Sequence, residues 1–315
     1  MNGPDIEARL DPEMRAAMAE SAQALGSIEV DWKDLMSARR AYLAERGFWN
    51  ADRPDVAAVQ SHVLPGPHGP IPVRLYRPAI GGLLPVLVYL HGGGYVLGSL
   101  DTHDRVMRLL ALKSGAAVLG VDYRLAPEHR FPAQLEETAA VLDWISTQAA
   151  SVELDHRRVA LGGDSAGAHL ALGAALARKS TEAKLKALIL YYGAFGLADS
   201  ASRRRFGVAA SGLSREDLAY YDASYLGGPA PMGDPRYDCL AGNLAGLPPA
   251  YILACELDPL LDDSLALAAL LGDAGVPHRL HRYDGVLHGF LHYSRIIPKA
   301  MRALDEGAAA LKDWL

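Results

Sequence analysis

The sequence predicts an α/β protein built on a mostly parallel β-sheet that helices cover on both faces. Two observations support this prediction. Runs that are apolar throughout, such as 84–90 and 116–123, alternate with longer helical segments, and strands that are buried on both faces have this pattern. The chain also has 315 residues, of which 50% are hydrophobic, so it can bury one large core.

Composition argues against several classes of function. Charged residues make up 22% of the chain and the formal net charge is −6, which does not favour a nucleic-acid partner. Two cysteines, Cys239 and Cys255, do not make a disulfide framework. No apolar run approaches the length of a membrane span, and residues 1–7 are acidic and lack the apolar stretch of a secretory signal. We therefore expect a cytoplasmic protein with no membrane span.

Two predicted helices precede any strand. The first starts at Asp11-Pro12, where a capping side chain comes directly before a proline at the first helical position. The second starts after Asp31, includes Trp32 and ends at Gly47. Amphipathic helices of this kind form either a packing hairpin or part of a lid over a site, and the pattern does not separate the two.

The remaining chain alternates between strands and helices after an initial hairpin. Strands are predicted at 56–63, 71–76, 84–90, 116–123, 159–161, 186–192, 250–255 and 278–283. Helices are predicted near 104–114 and 133–148, directly after Ser165, at 264–273 and at the C-terminus. Nearly sixty residues separate the strands at 186 and 250, and they include a capping-box sequence at 214–217. We expect an insertion at about 197–235 that folds over the carboxyl ends of the strands.

The sequence Gly163-Asp164-Ser165-Ala166-Gly167 stands between an apolar run and a stretch of helix formers. It predicts a sharp strand-to-helix turn, in which glycines remove the side chains that would collide. The serine hydroxyl then lies beside a helix N-terminus, which favours negative charge. A phosphate-binding loop would require Lys and Ser/Thr after Gly167, but Ala168 and His169 stand there.

A second motif, His91-Gly92-Gly93-Gly94, directly follows the apolar run at 84–90. Sites in open parallel sheets lie outside the carboxyl ends of the strands, so this loop and the serine turn are expected to meet. The N–H groups of Gly93, Gly94 and Ala166 would then surround an oxygen that develops negative charge. The alternative is an ordinary flexible glycine loop.

An acid and a histidine follow later strands. Asp258 precedes Pro259, which stops the strand, and we favour it over its neighbour Glu256 and over Asp262 and Asp263, which resemble the acids of a helix start.

His288 lies in a glycine-flanked loop after the last strand, whereas His281 lies within that strand. His292 could pair with His288 as a metal ligand at i, i+4, but the sequence shows no acidic third ligand nearby. We expect no metal and no cofactor.

The chain order Ser165, Asp258, His288 is the order of the catalytic triad in α/β-hydrolases. Neutral His288 would take the proton of Ser165, the alkoxide would attack an ester carbonyl, and water would later release the acid. Asp258 would hold the histidine tautomer and offset the imidazolium charge.

The chain resembles the hormone-sensitive-lipase-like, or bacterial family IV, carboxylesterases of the α/β-hydrolase fold. Five motifs in one order carry the resemblance, and they are His91–Tyr95, Tyr123–Pro132, Gly163–Gly167, Asp258–Leu260 and His288–Phe290. It implies an eight-stranded sheet, a catalytic domain at 51–315, and a helical cap built from residues 1–50 and the insertion. It also implies a Gly93, Gly94 and Ala166 oxyanion hole and a preference for esters of short to medium acyl chains. Tyr123–Pro132 looks structural in such enzymes.

Substrate contacts and assembly follow less directly from the sequence. The pocket candidates are Tyr95, Phe195, Phe206, Leu213 and Tyr220 with its neighbour Tyr221, and the alternative is that the cap residues among them form the cap core. We interpret Arg203–Arg205 as a solvated face and expect a small-molecule ester as partner, with a homodimer as a further hypothesis. An amidase, lactonase or peptidase with the same triad, a non-catalytic ligand receptor and a scaffold protein are the competing interpretations.

Overall fold

The computed structural model describes residues 4–26, 30–31, 34–181 and 185–315. Residues 1–3, which belong to the acidic N-terminus discussed above, and Trp32 of the second predicted helix lie outside the described residues. Within the described ranges, no helix has the length and apolar character that a bilayer crossing requires.

Eight strands form one sheet. They are β1 (Ala58–Leu64), β2 (Ile71–Arg77), β3 (Leu84–Leu90), β4 (Ala117–Val121), β5 (Leu154–Asp164), β6 (Ala187–Tyr191), β7 (Ala250–Cys255) and β8 (His278–Tyr283). The order across the sheet is β1-β2-β4-β3-β5-β6-β7-β8. Strand β2 runs antiparallel to both of its neighbours, and all the pairs from β4 to β8 are parallel. The mostly parallel sheet is therefore confirmed.

Ten α-helices are present in the described residues. They are α1 (Pro4–Arg9), α2 (Pro12–Leu25), α3 (Leu35–Trp49), α4 (Asp104–Ser114), α5 (Ala133–Gln148), α6 (Ala166–Ala177), α7 (Ala201–Phe206), α8 (Arg215–Leu226), α9 (Leu261–Asp273) and α10 (Pro298–Trp314). Helix α2 starts as predicted. The second helix starts three residues later than predicted, because Asp34, and not Asp31, accepts the N–H groups of Met36 and Ser37.

Helices cover both faces of the sheet, as predicted. Helices α5, α6 and α9 contact one face, while α4 and α10 contact each other and the opposite face. The side chains of β3 alternate between two buried clusters, with Val86, Val88 and Leu90 in one and Leu87 and Tyr89 in the other. A strand buried on both faces needs apolar residues at every position, which explains why β3 is apolar throughout.

Strand β5 is longer than the strand at 159–161 that the apolar run predicted. Its first half carries Arg157, which is exposed, and Arg158, which is partly buried, while Val159–Asp164 is buried. Asp155 anchors this polar half by accepting hydrogen bonds from the backbone of Arg157 and the guanidinium of Arg158. The strand therefore continues beyond the hydrophobic pattern that identifies it.

The segment before α7 is attached to the start of α9. Asp263 Oδ1 accepts the N–H groups of Phe195, Gly196 and Leu197 at 2.8–3.2 Å. Its Oδ2 pairs with Arg203 at 3.2 Å, and the Arg203 side chain is only 13% exposed. The interpretation of Arg203–Arg205 as a solvated face is therefore wrong for Arg203, because its guanidinium neutralises a buried carboxylate.

Candidate active site

Ser165 lies in a sharp turn between β5 and α6. Its backbone has φ 53° and ψ −122°, in a region that non-glycine residues rarely adopt. A Cβ at Gly163 or Gly167 would collide with the carbonyl oxygen of Leu90 on the neighbouring strand. The two glycines therefore permit this turn to approach β3, which was the reason for predicting it.

A hydrogen-bonded chain connects the serine to a histidine and an acid from two other loops. Ser165 Oγ lies 2.8 Å from His288 Nε2, and His288 Nδ1 lies 2.8 Å from Asp258 Oδ2. Asp258 is fully buried, and its Oδ1 accepts the N–H of Leu260 at 2.8 Å. An ionised carboxylate can only accept, so Nδ1 carries the imidazole proton and Nε2 is left to accept from the serine hydroxyl.

The competing acid and histidine lie elsewhere. Glu256 Oε2 accepts the N–H of Gly285, and Oε1 pairs with Arg9. His281 Nδ1 contacts the carboxylate of Glu306 on α10. Neither side chain approaches Ser165, so of the sequence candidates the structure brings together Ser165, Asp258 and His288.

The glycine loop after β3 lies beside the serine. Gly93 and Gly94 have φ 125° and 59°, and a Cβ on Gly94 would collide with the ring of Tyr221. Within the described chain, the N–H groups of Gly93, Gly94 and Ala166 donate to no protein acceptor, although all three residues line the cavity that contains Ser165. Three free donors beside one hydroxyl can receive an oxygen that becomes negative.

Asp164 links this loop to the serine turn. Its Oδ1 accepts the Tyr89 hydroxyl at 2.7 Å and the N–H of Gly92 at 3.1 Å, and His103 Nε2 lies 3.3 Å away. Burial opposes ionisation, but the charge interaction with His103 and these hydrogen bonds outweigh it and hold the pKa of Asp164 below its usual value. This role was not predicted, although an acid directly before the nucleophile, after an apolar run, was a signal for it.

His103, Asp164 and His292 form a buried group of metal-ligating residue types. The structure thus brings an acid beside His292, 3.9 Å from Asp164 Oδ2 to His292 Nε2, which the sequence did not show. Burial first, and then the charge of Arg46, lower the pKa of His292 well below its usual value. Because Asp164 already accepts hydrogen bonds from Tyr89 and from the glycine loop, the set fits an internal polar network.

The serine and the histidine open into a cavity of about 320 Å³. Its walls come from the sheet loops and from two segments that are distant in sequence. The lining residues outside the loops already described are Met14, Met18, Ser21, Tyr42, Arg46, Tyr95, Leu97, Tyr192, Ala194, Ser211, Gly212, Leu213, Leu218, Tyr221, Asp222, Leu260, Leu287, His292 and Tyr293.

Three of the predicted pocket residues line this cavity, and three do not. Tyr95, Leu213 and Tyr221 are in the wall. Phe195 is fully buried, Phe206 packs against the guanidinium of Arg9, and Tyr220 points outward and is 47% exposed. For Phe195 and Phe206 the alternative of a core position therefore agrees with the structure.

Tyr95 is held in place by its neighbours. Its ring stacks on Tyr225 with the centroids 3.9 Å apart, and its hydroxyl lies 3.0 Å from His169 Nδ1. His169 Nε2 lies 2.8 Å from the carbonyl of Tyr237, so Nε2 carries the proton and Nδ1 accepts from Tyr95. Burial lowers the pKa of His169 to about 4, so the ring is neutral near pH 7.

Sequence analysis did not identify Tyr192, which follows β6. Its backbone has φ 41°, and its ring meets the imidazole of His288 edge-on at 4.9 Å between centroids. A positive φ for a bulky residue cannot be read from the sequence, and it turns this ring into the cavity wall.

The chain is similar to many known proteins in sequence and in fold. Residues 87–292 match a family model described as alpha/beta hydrolase fold. An acetyl esterase of Salmonella choleraesuis is 43% identical over 305 residues, covering 95% of this chain and 93% of that protein. A hyperthermophilic esterase from the archaeon Pyrobaculum calidifontis superposes with a TM-score of 0.90 at 34% identity, covering 97% of this chain and 98% of that one. A thermostable carboxylesterase from a metagenomic library gives a TM-score of 0.87 at 33% identity, with coverages of 90% and 98%.

Proposed function

This chain belongs to the hormone-sensitive-lipase-like family of α/β-hydrolase esterases, and on that premise we propose that it is a serine carboxylesterase in which Ser165 attacks short- to medium-chain acyl esters. The observation that supports the proposal most directly is the hydrogen-bonded chain from Asp258 through His288 to Ser165, which ends at the wall of the cavity.

Acylation begins at the serine hydroxyl. His288 Nε2 accepts the proton of Ser165 Oγ as the oxygen attacks the ester carbonyl carbon. Asp258 keeps the other ring nitrogen protonated and stabilises the imidazolium that forms. His288 then gives the proton to the leaving alkoxide, the C–O bond breaks, and an acyl-serine remains.

The carbonyl oxygen becomes negative during this attack. We assign the N–H groups of Gly93, Gly94 and Ala166 as its hydrogen-bond donors, because all three face the cavity and have no other acceptor in the described residues. Each such donor is typically worth about 3 kcal/mol of transition-state stabilisation. Asp164 holds the loop by accepting the N–H of Gly92.

Deacylation repeats these steps with water. His288 removes a proton from a water molecule, the hydroxide attacks the acyl carbon, and the proton passes to Ser165 Oγ as the acid leaves.

We assign the two distant wall segments to a cap over a catalytic domain at 51–315. Helices α2 and α3 supply Met14 and Tyr42, and the insertion at about 197–235 supplies Leu213 and Tyr221. A cavity of about 320 Å³ suits a compact acyl group better than a long lipid chain. The homodimer and the cytoplasmic location remain predictions from the sequence.

Hydrolysis of 4-nitrophenyl esters from acetate to palmitate tests the proposal. We expect the highest kcat/KM at acetate to hexanoate. Ser165→Ala should lower kcat by a factor of about 10⁶, because removing the nucleophile abolishes the covalent route. An organophosphonate probe should label Ser165 in the wild type.

The control is Ser151→Ala, the same change at an exposed serine after α5. This variant should keep wild-type rates. A folded wild type that hydrolyses no member of the series would overturn the esterase proposal. Faster cleavage of 4-nitroacetanilide than of 4-nitrophenyl acetate would identify an amidase with the same triad instead.

A further inference from the structure

One polar patch in the cavity has no part in the mechanism above. It consists of Arg46 on α3 with the two tyrosines that flank it. The guanidinium carbon lies 4.9 Å from the ring centroid of Tyr42 and 5.7 Å from that of Tyr293. The side chain is 12% exposed, so the two rings fix the charged group in the wall of the cavity.

The guanidinium does not use all of its donors. Glu45 Oε2 lies 3.2 Å from Arg46 Nε, but Nε and Nη1 are buried and make no hydrogen bond with any described residue. The other oxygen of Glu45 is occupied, because Oε1 accepts from Ser21 and Trp49. Arginine carries five N–H donors, and leaving buried ones unsatisfied is costly. Both nitrogens are inaccessible to solvent, so a ligand in the cavity would accept from Nη2, which is not one of them.

Arg46 also lies close to the reacting groups. Its Nη2 is 4.0 Å from the position that a Cβ on Gly289 would occupy, and Gly289 directly follows His288. Arg46 lines the same cavity as Ser165. A molecule that binds to this guanidinium can therefore present an ester to the serine at the same time.

No other cation lines the cavity in the described part of the chain. Two carboxylates do line it. Asp164 is engaged with Tyr89 and the glycine loop, as described above. Burial raises the pKa of Asp222, which reduces its tendency to carry a charge. Arg46 is therefore the side chain of the described wall that can offset the charge of an anionic ligand.

We propose that Arg46 forms a subsite for a carboxylate carried by the ester, so that this enzyme prefers half-esters of dicarboxylic acids or acyl esters of hydroxy acids to neutral esters of the same length. The proposal rests on the proposed function, since it names the substrate class of the same site. A guanidinium binds a carboxylate through charge-assisted N–H···O bonds, and partial burial of the side chain strengthens them.

Two pairs of alkyl esters test this subsite, with acid release followed by pH-stat. In the first pair, monoethyl glutarate, which carries its carboxylate on the acyl side, is compared with ethyl pentanoate. In the second pair, sodium 4-acetoxybutanoate, which carries its carboxylate on the alcohol side, is compared with butyl acetate. Each pair gives a charged-to-neutral ratio of kcat/KM, and this ratio cancels any general damage to the enzyme.

We expect at least one ratio to fall about 10- to 100-fold in Arg46→Met, mainly through KM, because hydrogen bonds to charged groups are lost. Arg46→Lys should keep part of the preference, since it retains the charge without the planar fork. Arg40→Met is the matched control, as Arg40 lies on the same helix with a side chain that is 70% exposed.

The outcomes separate the two proposals. A fall in the first ratio alone assigns the carboxylate to the acyl part of the ester. A fall in the second ratio alone assigns it to the alcohol part. Either result supports the subsite. Ratios that Arg46→Met leaves unchanged, with the neutral esters still hydrolysed, overturn the subsite and leave the esterase intact. A wild type that hydrolyses none of the four esters contradicts the proposed function itself.

Discussion

Asp258 and Glu256 lie two residues apart after β7, yet their surroundings differ. Asp258 is fully buried and meets His288 Nδ1, while Glu256 pairs with Arg9 and the N–H of Gly285. A carboxylate acts on the imidazole only through direct contact, so their proximity in sequence says nothing about shared function. This difference can be tested with two isosteric substitutions.

Asp258→Asn should lower kcat/KM for 4-nitrophenyl butyrate by about 10⁴-fold, because the amide no longer fixes the productive imidazole tautomer. Glu256→Gln should leave kcat/KM unchanged within the error of the assay. Circular dichroism of both variants checks that the fold is retained. A greater loss in Glu256→Gln than in Asp258→Asn would reverse the assignment of the acid.

At the scale of the element, α8 depends on a capping box. Ser214 accepts the N–H of Asp217, and the carboxylate of Asp217 accepts the N–H of Ser214 in return. The capping sequence predicted this helix start correctly. Helix α8 supplies Leu218 and Tyr221 to the cavity wall, so its stability bears on substrate binding.

Ser214→Ala should destabilise the first turn of α8 by about 1 kcal/mol, because one cap is lost. Hydrogen exchange at residues 215–218 should become faster, and KM should rise more than kcat changes. Ser214→Thr retains a hydroxyl cap and should restore slow exchange. Exchange that stays at the wild-type rate in Ser214→Ala would show that the cap does not limit this helix.

Helix phase explains why only one of two adjacent pocket candidates lines the cavity. Tyr220 and Tyr221 are adjacent on α8, and only Tyr221 faces the cavity while Tyr220 is exposed. Successive residues on a helix point about 100° apart, so a one-residue choice decides whether a ring meets the ligand. The hydrophobic pattern of α8 does not predict which of the two rings faces the cavity, since tyrosines are acceptable on both faces of a helix.

For the whole molecule, buried histidines connect stability to pH. Burial lowers the pKa of His169 to about 4, while the pKa of a histidine in the unfolded chain is about 6.5. The unfolded chain therefore binds more protons between these values. The resulting stability is fully present above the unfolded pKa and is lost as the pH falls towards 4.

His169→Gln should flatten the dependence of the free energy of unfolding on pH between about pH 4 and 6.5, where the wild type is expected to lose up to about 3 kcal/mol through this residue. Glutamine can still accept from Tyr95 and donate to Tyr237, so the site stays filled. Urea denaturation at several pH values measures the slope. His129→Gln, at an exposed histidine, is the control, and an equal flattening there would contradict the assignment.

The sequence predicted the parts of this molecule that follow from chain order. Ser165, Asp258 and His288 each come directly after a strand, and parallel strands bring their carboxyl ends to one edge. Arg46 and His292 carry no such positional signal. Their meeting depends on how α3 lies over the loop after β8, which arises from tertiary packing between segments nearly 250 residues apart.

The reacting groups and most of the cavity wall come from different segments of the chain, which has a consequence for engineering. The reacting groups lie on loops of the sheet, whereas much of the surface that meets a substrate comes from α2, α3 and residues 211–222. A mutant library restricted to 14–46 and 211–222 would therefore vary the shape and charge of the chamber without altering any atom that breaks or forms a bond. New selectivities could be sought by exchanging these two stretches between homologues as cassettes, with the chemistry inherited unchanged.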